Sequence, residues 1–378
     1  MIQLTPPMGW NSWNTFGEKI DETMIREMAD AMVSTGLLEA GYNYLVIDDC
    51  WAELTRDENN RLVASREKFP NGMKAVADYV HSKGLKFGMY SCAGTLTCAG
   101  YPGSFEYEFI DAQTFAEWGV DFLKYDYCYH PKNVPGATLY QRMGAALATC
   151  GRDILFSACS WGADETYKWI KTTGAHMWRS TGDIVDSWES IRDLYNKQID
   201  LQVTNGQGCF NDMDMLVVGM KGKGNVGLTG CTTEEYRTHF SLWAMFGSPL
   251  MIGCDIREMD EDTRAILMNK DVIAINQDPA ARQLFAVNSW PDDSTPKKSI
   301  WVRMLEGGDY AIGMFNMEEC RRMMAVNFSD IGIGRATGKT LELHDVWSGE
   351  TFRPANNMVR TLLEPHTCRL YRAKVVDA

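Results

Sequence analysis

Short runs of β-branched and aromatic residues alternate with amphipathic helical windows from residue 1 to about residue 280. This alternation is typical of a parallel sheet whose strands are joined by crossover helices. The chain contains eight such predicted strands, which end near Trp13, Asp48, Tyr90, Asp126, Cys159, Asp183, Asp214 and Asp255. Their mean spacing of roughly 35 residues suits the repeating unit of a (β/α)8 barrel of about 250 residues. The predicted fold class is therefore α/β, with a closed TIM barrel.

The first repeating unit shows the local pattern. Asp21 can cap a helix, because its side chain can accept the backbone amides of the first turn. The apolar residues that follow recur on one helical face: Met24, Ile25, Met28 and Met32. Gly36 or Gly41 can end this helix. Residues 44–47 are then apolar on both faces, as expected for a strand buried in a parallel sheet.

The pattern of the sequence changes after Pro279. Short alternating runs separated by Gly and Asn turns replace the helical windows, which is typical of antiparallel sheets. The predicted strands cover residues 300–305, 310–315, 323–328, 341–347 and 358–362. We therefore predict a barrel at residues 1–282 and a C-terminal antiparallel β-sandwich domain at residues 283–378.

The charge of the chain excludes two classes of partner. Its 378 residues carry a formal net charge of −13, and an acidic protein repels nucleic acid and anionic membranes.

No stretch approaches the roughly 20 apolar residues that span a bilayer. Met1 leads to Thr5-Pro6-Pro7 without the apolar core of a signal peptide. As it stands, the sequence predicts a cytoplasmic protein, or a secreted one if a leader has been removed; it predicts no oligomeric state.

Acidic residues stand at five of the eight predicted strand ends. Packing alone would favour apolar or small residues there, because a buried carboxylate without a partner is costly. For any single Asp, the structural alternative is a helix N-cap on the following crossover. In a (β/α)8 barrel, however, the carboxyl ends of all strands open on one face, where active sites lie. The set of acids therefore predicts a site on this face.

Two ligand classes could use such a ring of carboxylates, a hard metal ion or a polyhydroxylated sugar. Cations and aromatic residues share the predicted strand ends: Trp13, Tyr90, Lys124, Trp161 and Arg179. Aromatic faces stack on the apolar faces of sugar rings, and carboxylates bind adjacent hydroxyls, for which the Asp48-Asp49 pair is suited. The sequence therefore favours a sugar and predicts no metal and no organic cofactor.

Glycoside hydrolysis needs two carboxyl groups across the scissile bond, one ionised and one protonated. Asp126 stands two residues after Lys124, whose charge should keep it ionised and nucleophilic. Asp183 stands four residues after Arg179, in a different predicted loop. These two acids are the predicted catalytic pair. A mechanism that retains the anomeric configuration would place them about 5–5.5 Å apart.

The assembled residues resemble glycoside hydrolase family 27, which contains α-galactosidases and α-N-acetylgalactosaminidases, and are most like the plant and microbial α-galactosidases. The similarity runs through the barrel, from residue 7 to residue 279. Its most specific stretches are Ile47-Asp48-Asp49-Cys50-Trp51, Cys98-Ala99-Gly100-Tyr101-Pro102-Gly103-Ser104, Asp111-Ala112-Gln113-Thr114-Phe115-Ala116, Trp178-Arg179-Ser180-Thr181-Gly182-Asp183-Ile184 and Asn211-Asp212-Met213-Asp214-Met215-Leu216.

The resemblance implies a covalent nucleophile at Asp126 and a general acid/base at Asp183, as the residues themselves suggest. It implies that the other residues at the sugar are Trp13, Asp48, Asp49, Tyr90, Cys98, Lys124, Cys159, Trp161, Arg179 and Asp214. In the family, the positions of Cys98 and Cys128 are joined by a disulfide beside the sugar, a bond that a reducing cytoplasm disfavours.

Individual roles follow from the same resemblance. Trp13 stacks on the sugar, and Asp48 and Asp49 hold its 4- and 6-hydroxyls. Lys124 and Tyr90 line the pocket. The resemblance also places two residues near the 2- and 3-hydroxyls: Arg179 and Asp214.

The predicted loop after the fifth strand, residues 159–163, sets substrate choice in the family. In the N-acetylgalactosaminidase branch, a Ser and an Ala make room for an acetamido group, and Ser160 with Ala163 matches that pair. Cys159 and Trp161 instead match the plant and microbial α-galactosidases, in which these side chains fill the space. We predict a retaining exo-α-galactosidase for galactose-terminated oligosaccharides or glycans. The alternatives are an α-N-acetylgalactosaminidase and, from another class, a non-catalytic galactose-binding barrel.

Overall fold

Eight parallel strands form the first sheet. The structure, a computed structural model, describes residues 4–287 and 298–378. The strands are β1 (Met8–Asn11), β2 (Tyr44–Val46), β3 (Lys86–Cys92), β4 (Phe122–Asp126), β5 (Leu155–Cys159), β6 (Met177–Arg179), β7 (Phe210–Asp212) and β8 (Leu250–Ile252). Their order is β7-β6-β5-β4-β3-β2-β1-β8. A parallel bridge between Leu216, after β7, and Ile252 in β8 joins the two ends, so the sheet closes as the predicted TIM barrel.

The strands end near the predicted residues. β4 ends at Asp126 and β5 at Cys159, as predicted, whereas β6 ends at Arg179 and leaves Asp183 in the following loop. Four further strands, β1, β2, β7 and β8, also end before the residue predicted, and β3 extends beyond Tyr90. Most of the predicted acids therefore lie just beyond the strands.

The helices of the barrel follow the predicted alternation. They are α1 (Trp13–Phe16), α2 (Glu22–Ser34), α3 (Gly72–Ser82), α4 (Glu108–Trp118), α5 (Gly136–Thr149), α6 (Trp188–Gln198), α7 (Thr233–Phe246), α8 (Glu261–Leu267) and α9 (Lys270–Asn276). Asp21 caps α2, since its Oδ1 accepts the amide of Met24 at 2.8 Å. Gly36 follows α2 with a φ of 85°, a conformation that glycine adopts without steric cost. The first unit predicted from the sequence is therefore confirmed.

Apolar side chains fill the N-terminal end of the barrel. The cluster consists of Tyr44, Val46, Phe122, Leu155, Met177, Phe210, Met215 and Met251. Most of these residues are the first of their strands, which places the cluster at the start of the sheet. Gly88 makes room for it, because a Cβ at this position would lie 2.7 Å from Val46 Cγ2. Polar chemistry is thereby left to the opposite end of the barrel.

The C-terminal residues form two antiparallel sheets. Their strands are β9 (Leu284–Ala286), β10 (Ile300–Met304), β11 (Tyr310–Phe315), β12 (Arg322–Asn327), β13 (Lys339–Asp345), β14 (Thr351–Phe352), β15 (Met358–Leu363) and β16 (Cys368–Asp377). One sheet has the order β14-β13-β16-β11-β10-β9, and β12 pairs with β15 in the other. A single apolar cluster joins them, with Val302 and Ile312 from the first sheet and Val326 and Val359 from the second. This arrangement is the predicted β-sandwich.

The sequence prediction missed β9, β14 and β16. β16 lies inside the larger sheet, between β13 and β11. Its residues alternate, with Leu370 buried and Arg369, Arg372 and Lys374 exposed, so charged side chains interrupt its apolar pattern. The predicted division between residues 282 and 283 stays a prediction, and β9 begins at Leu284.

Aromatic side chains connect the barrel with the β-domain. The fully buried ring of Trp301, in β10, lies edge-on to Phe246 of α7, with ring centroids 5.1 Å apart. Trp301 Nε1 donates to the Tyr195 hydroxyl of α6 at 3.0 Å. Both parts of the chain contribute to the same apolar core. Among residues 4–287 and 298–378, no helix combines the length and apolar character needed to cross a membrane.

Replacing Trp301 should therefore destabilise the whole chain. We expect Trp301→Ala to lower the free energy of unfolding by about 3–5 kcal/mol, because it leaves a large cavity. Leu362→Ala is the control, since Leu362 is 52% exposed, and it should change stability by about 0.5 kcal/mol or less. Urea denaturation followed by tryptophan fluorescence and circular dichroism measures both. Equal decreases in the free energy of unfolding of the two variants would contradict the inference that the barrel and the β-domain share one core.

Candidate active site

The predicted acids separate into one helix cap and a group at the barrel opening. Asp255 caps the short 3-10 helix Ile256–Glu258 and pairs with Arg257 at 2.7 Å. For Asp255, the helix-cap alternative is therefore correct. The remaining acids at strand ends share a small set of cationic and hydrogen-bonding partners.

Asp48 and Lys124 form a buried ion pair. Asp48 follows β2, and its Oδ2 accepts hydrogen bonds from Lys124 Nζ at 2.8 Å and Asn11 Nδ2 at 2.7 Å. Lys124 extends from β4 with Nζ 5.5 Å from the centre of the Tyr90 ring. Burial disfavours the ammonium ion, but Asp48 and the neighbouring anionic groups together outweigh this effect and raise the pKa of Lys124. The barrel opening therefore contains a fixed positive charge.

Backbone amides hold Asp49 beside this pair. Its Oδ1 accepts the amide of Cys50 at 2.7 Å, and its Oδ2 accepts the amide of Ala99 at 2.9 Å. Burial raises the pKa of Asp49, and these two hydrogen bonds act in the opposite direction. Asp48 and Asp49 are thus two adjacent carboxyl groups in fixed positions, as the binding of neighbouring hydroxyls requires.

Two hydrogen bonds fix Asp126 at the end of β4. Its Oδ1 accepts the Tyr127 amide at 2.8 Å, and its Oδ2 accepts the Tyr90 hydroxyl at 2.9 Å. Burial raises the pKa of Asp126 to about 6, against the lowering effects of Lys124 and of these hydrogen bonds. Lys124 therefore acts on the pKa of Asp126 in the predicted direction, but burial outweighs this effect, and the direct ion pair of Lys124 is with Asp48.

A disulfide joins Cys98 to Cys128 next to Asp126. The Sγ atom of Cys98 lies 3.4 Å from Asp126 Oδ2. Ala99, whose amide binds Asp49, is the next residue in the chain. The disulfide implied by the resemblance is therefore present, and it connects the loop after β3 to the loop after β4.

Arg179, the last residue of β6, contacts two carboxyl groups. Its Nη1 lies 2.9 Å from Asp214 Oδ1, and its Nη2 lies 3.0 Å from Asp183 Oδ1. Asp214 is buried after β7, and its Oδ2 accepts the Ile184 amide at 2.7 Å. Burial raises the pKa of Asp214, whereas Arg179 lowers it. Arg179 Nη1 also lies 3.8 Å from Cys159 Sγ at the end of β5.

Asp183 is the exposed member of the predicted catalytic pair. Its side chain is 72% exposed, whereas that of Arg179 is only 4% exposed. Partial burial raises the pKa of Asp183, but Arg179 and Lys124 together lower it by more, so its pKa lies below the ordinary value of an aspartate. Lys124 also lowers the pKa of Asp126, so one cation influences both acids. The predicted mechanism needs the proton on Asp183 and an ionised Asp126, whereas these shifts raise the pKa of Asp126 and lower that of Asp183.

Two positioning residues were missed in the sequence. Asn11 donates to Asp48 and accepts the amide of half-buried Trp13, the first residue of α1, at 2.9 Å. Asp212 Oδ1 accepts the amide of Asp214 at 2.9 Å, and burial raises the pKa of Asp212 to about 6. Asp212 belongs to the motif at residues 211–216, and that position was the available signal. Asn11 could have been found only from its position close to Trp13, where the first predicted strand ends.

Known families match almost the entire chain. The family described as Alpha galactosidase A matches residues 5–278, and the one described as Alpha galactosidase C-terminal beta sandwich domain matches residues 295–373. The chain belongs to the α-galactosidase family, glycoside hydrolase family 27. It is therefore a glycoside hydrolase.

Individual relatives agree with this assignment. The α-galactosidase of Cyamopsis tetragonoloba is 44% identical over 368 residues, which cover 97% of this chain and 85% of that protein. The crystal structure of α-galactosidase I from Mortierella vinacea is similar with a TM-score of 0.90 at 33% identity, covering 98% of this chain and 97% of the other. The α-galactosidase of Saccharomyces cerevisiae, solved with raffinose, has a TM-score of 0.86 at 31% identity, with 99% and 98% covered.

The loop after β5 distinguishes the two branches of family 27. Ser160 is fully buried, and its Oγ lies 2.7 Å from Thr166 Oγ1 within the same loop. Trp161 has a φ of 56°, and its ring is edge-on to Tyr127 with centroids 6.2 Å apart. Ser160 is therefore engaged inside the loop, while Trp161 packs against the residue that follows Asp126. This geometry favours the α-galactosidase pattern.

The two pKa values predict how this α-galactosidase family member depends on pH. In the mechanism predicted from the sequence, the reactive form carries one proton on the pair, at Asp183, with Asp126 ionised. Above about pH 6 the pair loses its last proton, and in strong acid, below the lowered pKa of Asp183, both carboxyl groups are protonated. We therefore expect kcat/KM for an alkyl α-galactoside, measured in a pH series, to fall above about pH 6 and again in strong acid.

A substrate that needs no protonation provides the control. The leaving group of 2,4-dinitrophenyl α-galactoside departs as a stable anion, so ionised Asp126 alone suffices. Its kcat/KM should persist above about pH 6. A constant kcat/KM for the alkyl galactoside up to about pH 8 would contradict the loss of the last proton of the pair near pH 6.

Proposed function

We propose that this chain is a retaining exo-α-galactosidase that removes terminal, non-reducing α-linked D-galactose from oligosaccharides or glycoconjugates. The proposal depends on the contrast between two carboxyl groups at one barrel opening. Asp126 is buried and fixed by two hydrogen bonds, whereas Asp183 is exposed and held by Arg179. A nucleophile must be held against the sugar, while an acid/base must reach the leaving oxygen and then water. Asp126 is accordingly the nucleophile and Asp183 the acid/base.

The reaction proceeds by double displacement. Asp126 attacks the anomeric carbon and forms a β-galactosyl ester, while Asp183 donates its proton to the glycosidic oxygen and the aglycone leaves as an alcohol. Asp183 then removes a proton from water, which attacks the same carbon and releases Asp126. Two inversions give α-galactose, so the configuration is retained.

Arg179 allows Asp183 to change its protonation state. The first step requires a proton on Asp183, and protonation weakens its ion pair with Arg179. Arg179 keeps a second partner, because its Nη1 contacts the buried Asp214 at 2.9 Å. The guanidinium therefore remains compensated while Asp183 acts as an acid.

The pocket residues support galactose as the reacting sugar. Asp48 and Asp49 accept hydrogen bonds from its 4- and 6-hydroxyls, and Trp13 stacks on its apolar face. Arg179 and Asp214 lie toward the 2- and 3-hydroxyls. This proposal uses neither a metal nor an organic cofactor, and the cytoplasmic location stays a prediction.

Removing the nucleophile provides the principal test. Asp126→Ala should lower kcat by several orders of magnitude, because the covalent step is lost. Sodium azide should restore part of the turnover of 2,4-dinitrophenyl α-galactoside, since the small anion can occupy the space of the carboxylate. Proton NMR should then identify the product as β-galactosyl azide.

Asp183→Ala is the matched variant for this test. It still forms the galactosyl-enzyme from an activated substrate, so azide should attack that intermediate and give α-galactosyl azide. If the two variants gave the opposite anomers, the proposed roles would be exchanged. A chain without measurable turnover on any α-galactoside would instead support the non-catalytic galactose-binding alternative.

The loop geometry also predicts selectivity at the 2-position. We expect kcat/KM for 4-nitrophenyl α-galactoside to exceed that for its 2-acetamido analogue by about 100-fold, because Trp161 restricts the space and Ser160 is engaged by Thr166. Trp161→Ala should narrow this ratio. Comparable rates for both substrates with the unmodified chain would favour the α-N-acetylgalactosaminidase alternative.

A further inference from the structure

A histidine of the β-domain contacts the helix that follows Asp183. His366 lies between β15 and β16, and its backbone φ is 60°. Its ring stacks on Trp188, with centroids 4.4 Å apart and planes inclined by 22°. Trp188 begins α6, directly after the loop segment 180–187 that contains Asp183. The stack therefore connects the β-domain to the segment carrying the acid/base.

Both ring nitrogens of His366 also reach carboxyl groups. Nδ1 lies 2.7 Å from Glu235 Oε1, and Nε2 lies 3.0 Å from Glu319 Oε2. Glu235 closes the capping box of α7, and Glu319, in the β-domain, pairs with Arg192 of α6 at 2.9 Å. We call these residues the latch: Trp188, Arg192, Glu235, Glu319 and His366.

The acid/base segment has a second anchor on the same helix α7. Asp186 is fully buried, and its carboxyl oxygens accept the Tyr236 hydroxyl at 2.9 and 3.0 Å. Tyr236 is the residue after the latch glutamate in α7. The segment between Asp183 and Trp188 is thus fixed at Asp186 by α7 and at Trp188 by the histidine ring.

We propose that His366 is a positioning residue for Asp183. The inference rests on the proposed role of Asp183 as acid/base. Arg179 holds one oxygen of the Asp183 carboxyl group, but this side chain is 72% exposed, so its placement also depends on the backbone that carries it. The latch fixes the end of that backbone segment, so that the carboxyl group reaches the glycosidic oxygen. A displacement of about 1 Å can cost a reaction up to 10²-fold, so such support affects the rate of proton transfer.

A leaving-group comparison tests this role. His366→Ala removes the stacked ring and both carboxylate contacts. We expect kcat/KM for methyl α-galactoside, whose leaving group must be protonated, to fall about tenfold. The value for 2,4-dinitrophenyl α-galactoside should stay within about twofold, because that leaving group needs no acid. A purely structural defect lowers both values equally and would overturn the proposal.

A second variant and a matched control accompany His366→Ala. Trp188→Leu removes the other ring of the stack and should show the same selective loss. His344→Gln is the control, because His344 is also a β-domain histidine near a barrel carboxyl group, with Nε2 3.5 Å from Asp271 Oδ2 of α9. In that control, kcat/KM for both substrates should equal the wild-type values. A selective loss there would contradict a specific role of the latch.

Asp183→Ala separates failure of this inference from failure of the proposed function. It should lose activity on methyl α-galactoside while retaining kcat/KM on the dinitrophenyl substrate. If it loses both alike, the acid/base role of Asp183 is wrong. If it shows the selective loss and His366→Ala does not, the positioning role of His366 is wrong and the proposed function stands.

Discussion

Compensation of buried charge at the open end of the barrel determines the arrangement of the site. Asp48, Asp126 and Asp214 are almost completely buried there. Lys124 and Arg179 supply the positive charge, each in direct contact with a buried carboxylate. Removing one member of such a pair would leave an isolated charge in a poorly solvated place, which is strongly unfavourable. The pocket therefore has its charges in place before a sugar enters.

The buried acids differ in how their negative charge is compensated, and this difference matches their different predicted roles. Asp48 and Asp214 each have a cation in contact, and they are suited to holding hydroxyl groups. Asp126 has hydrogen bonds but, within residues 4–287 and 298–378, no cation in contact, and burial raises its pKa to about 6. Asp183 is exposed beside Arg179, which helps to lower its pKa. Burial and the nearby cations thus raise the pKa of one of the two acids and lower that of the other.

The sequence predicted the scaffold better than the contacts. The period of the strands and the family motifs identified the barrel, the sandwich and the acids at the opening. They did not show that Lys124 pairs with Asp48 rather than with Asp126, because the partner of a cation depends on how neighbouring strands are aligned. Asp255 had the same sequence signature as the other acids, yet it caps a helix. β16 was missed because exposed arginines and lysine interrupt its apolar residues.

The bond between Cys98 and Cys128 has a practical consequence for work with this protein. It closes a covalent loop that contains Asp126, and the amide next to Cys98 is a hydrogen-bond donor to Asp49. A dithiol reagent that opened this bond would release that amide together with the sulfur atom beside Asp126. Protein in which a thiol reductant has opened this bond is therefore chemically different from the disulfide form. Rates measured on the two forms should be reported separately.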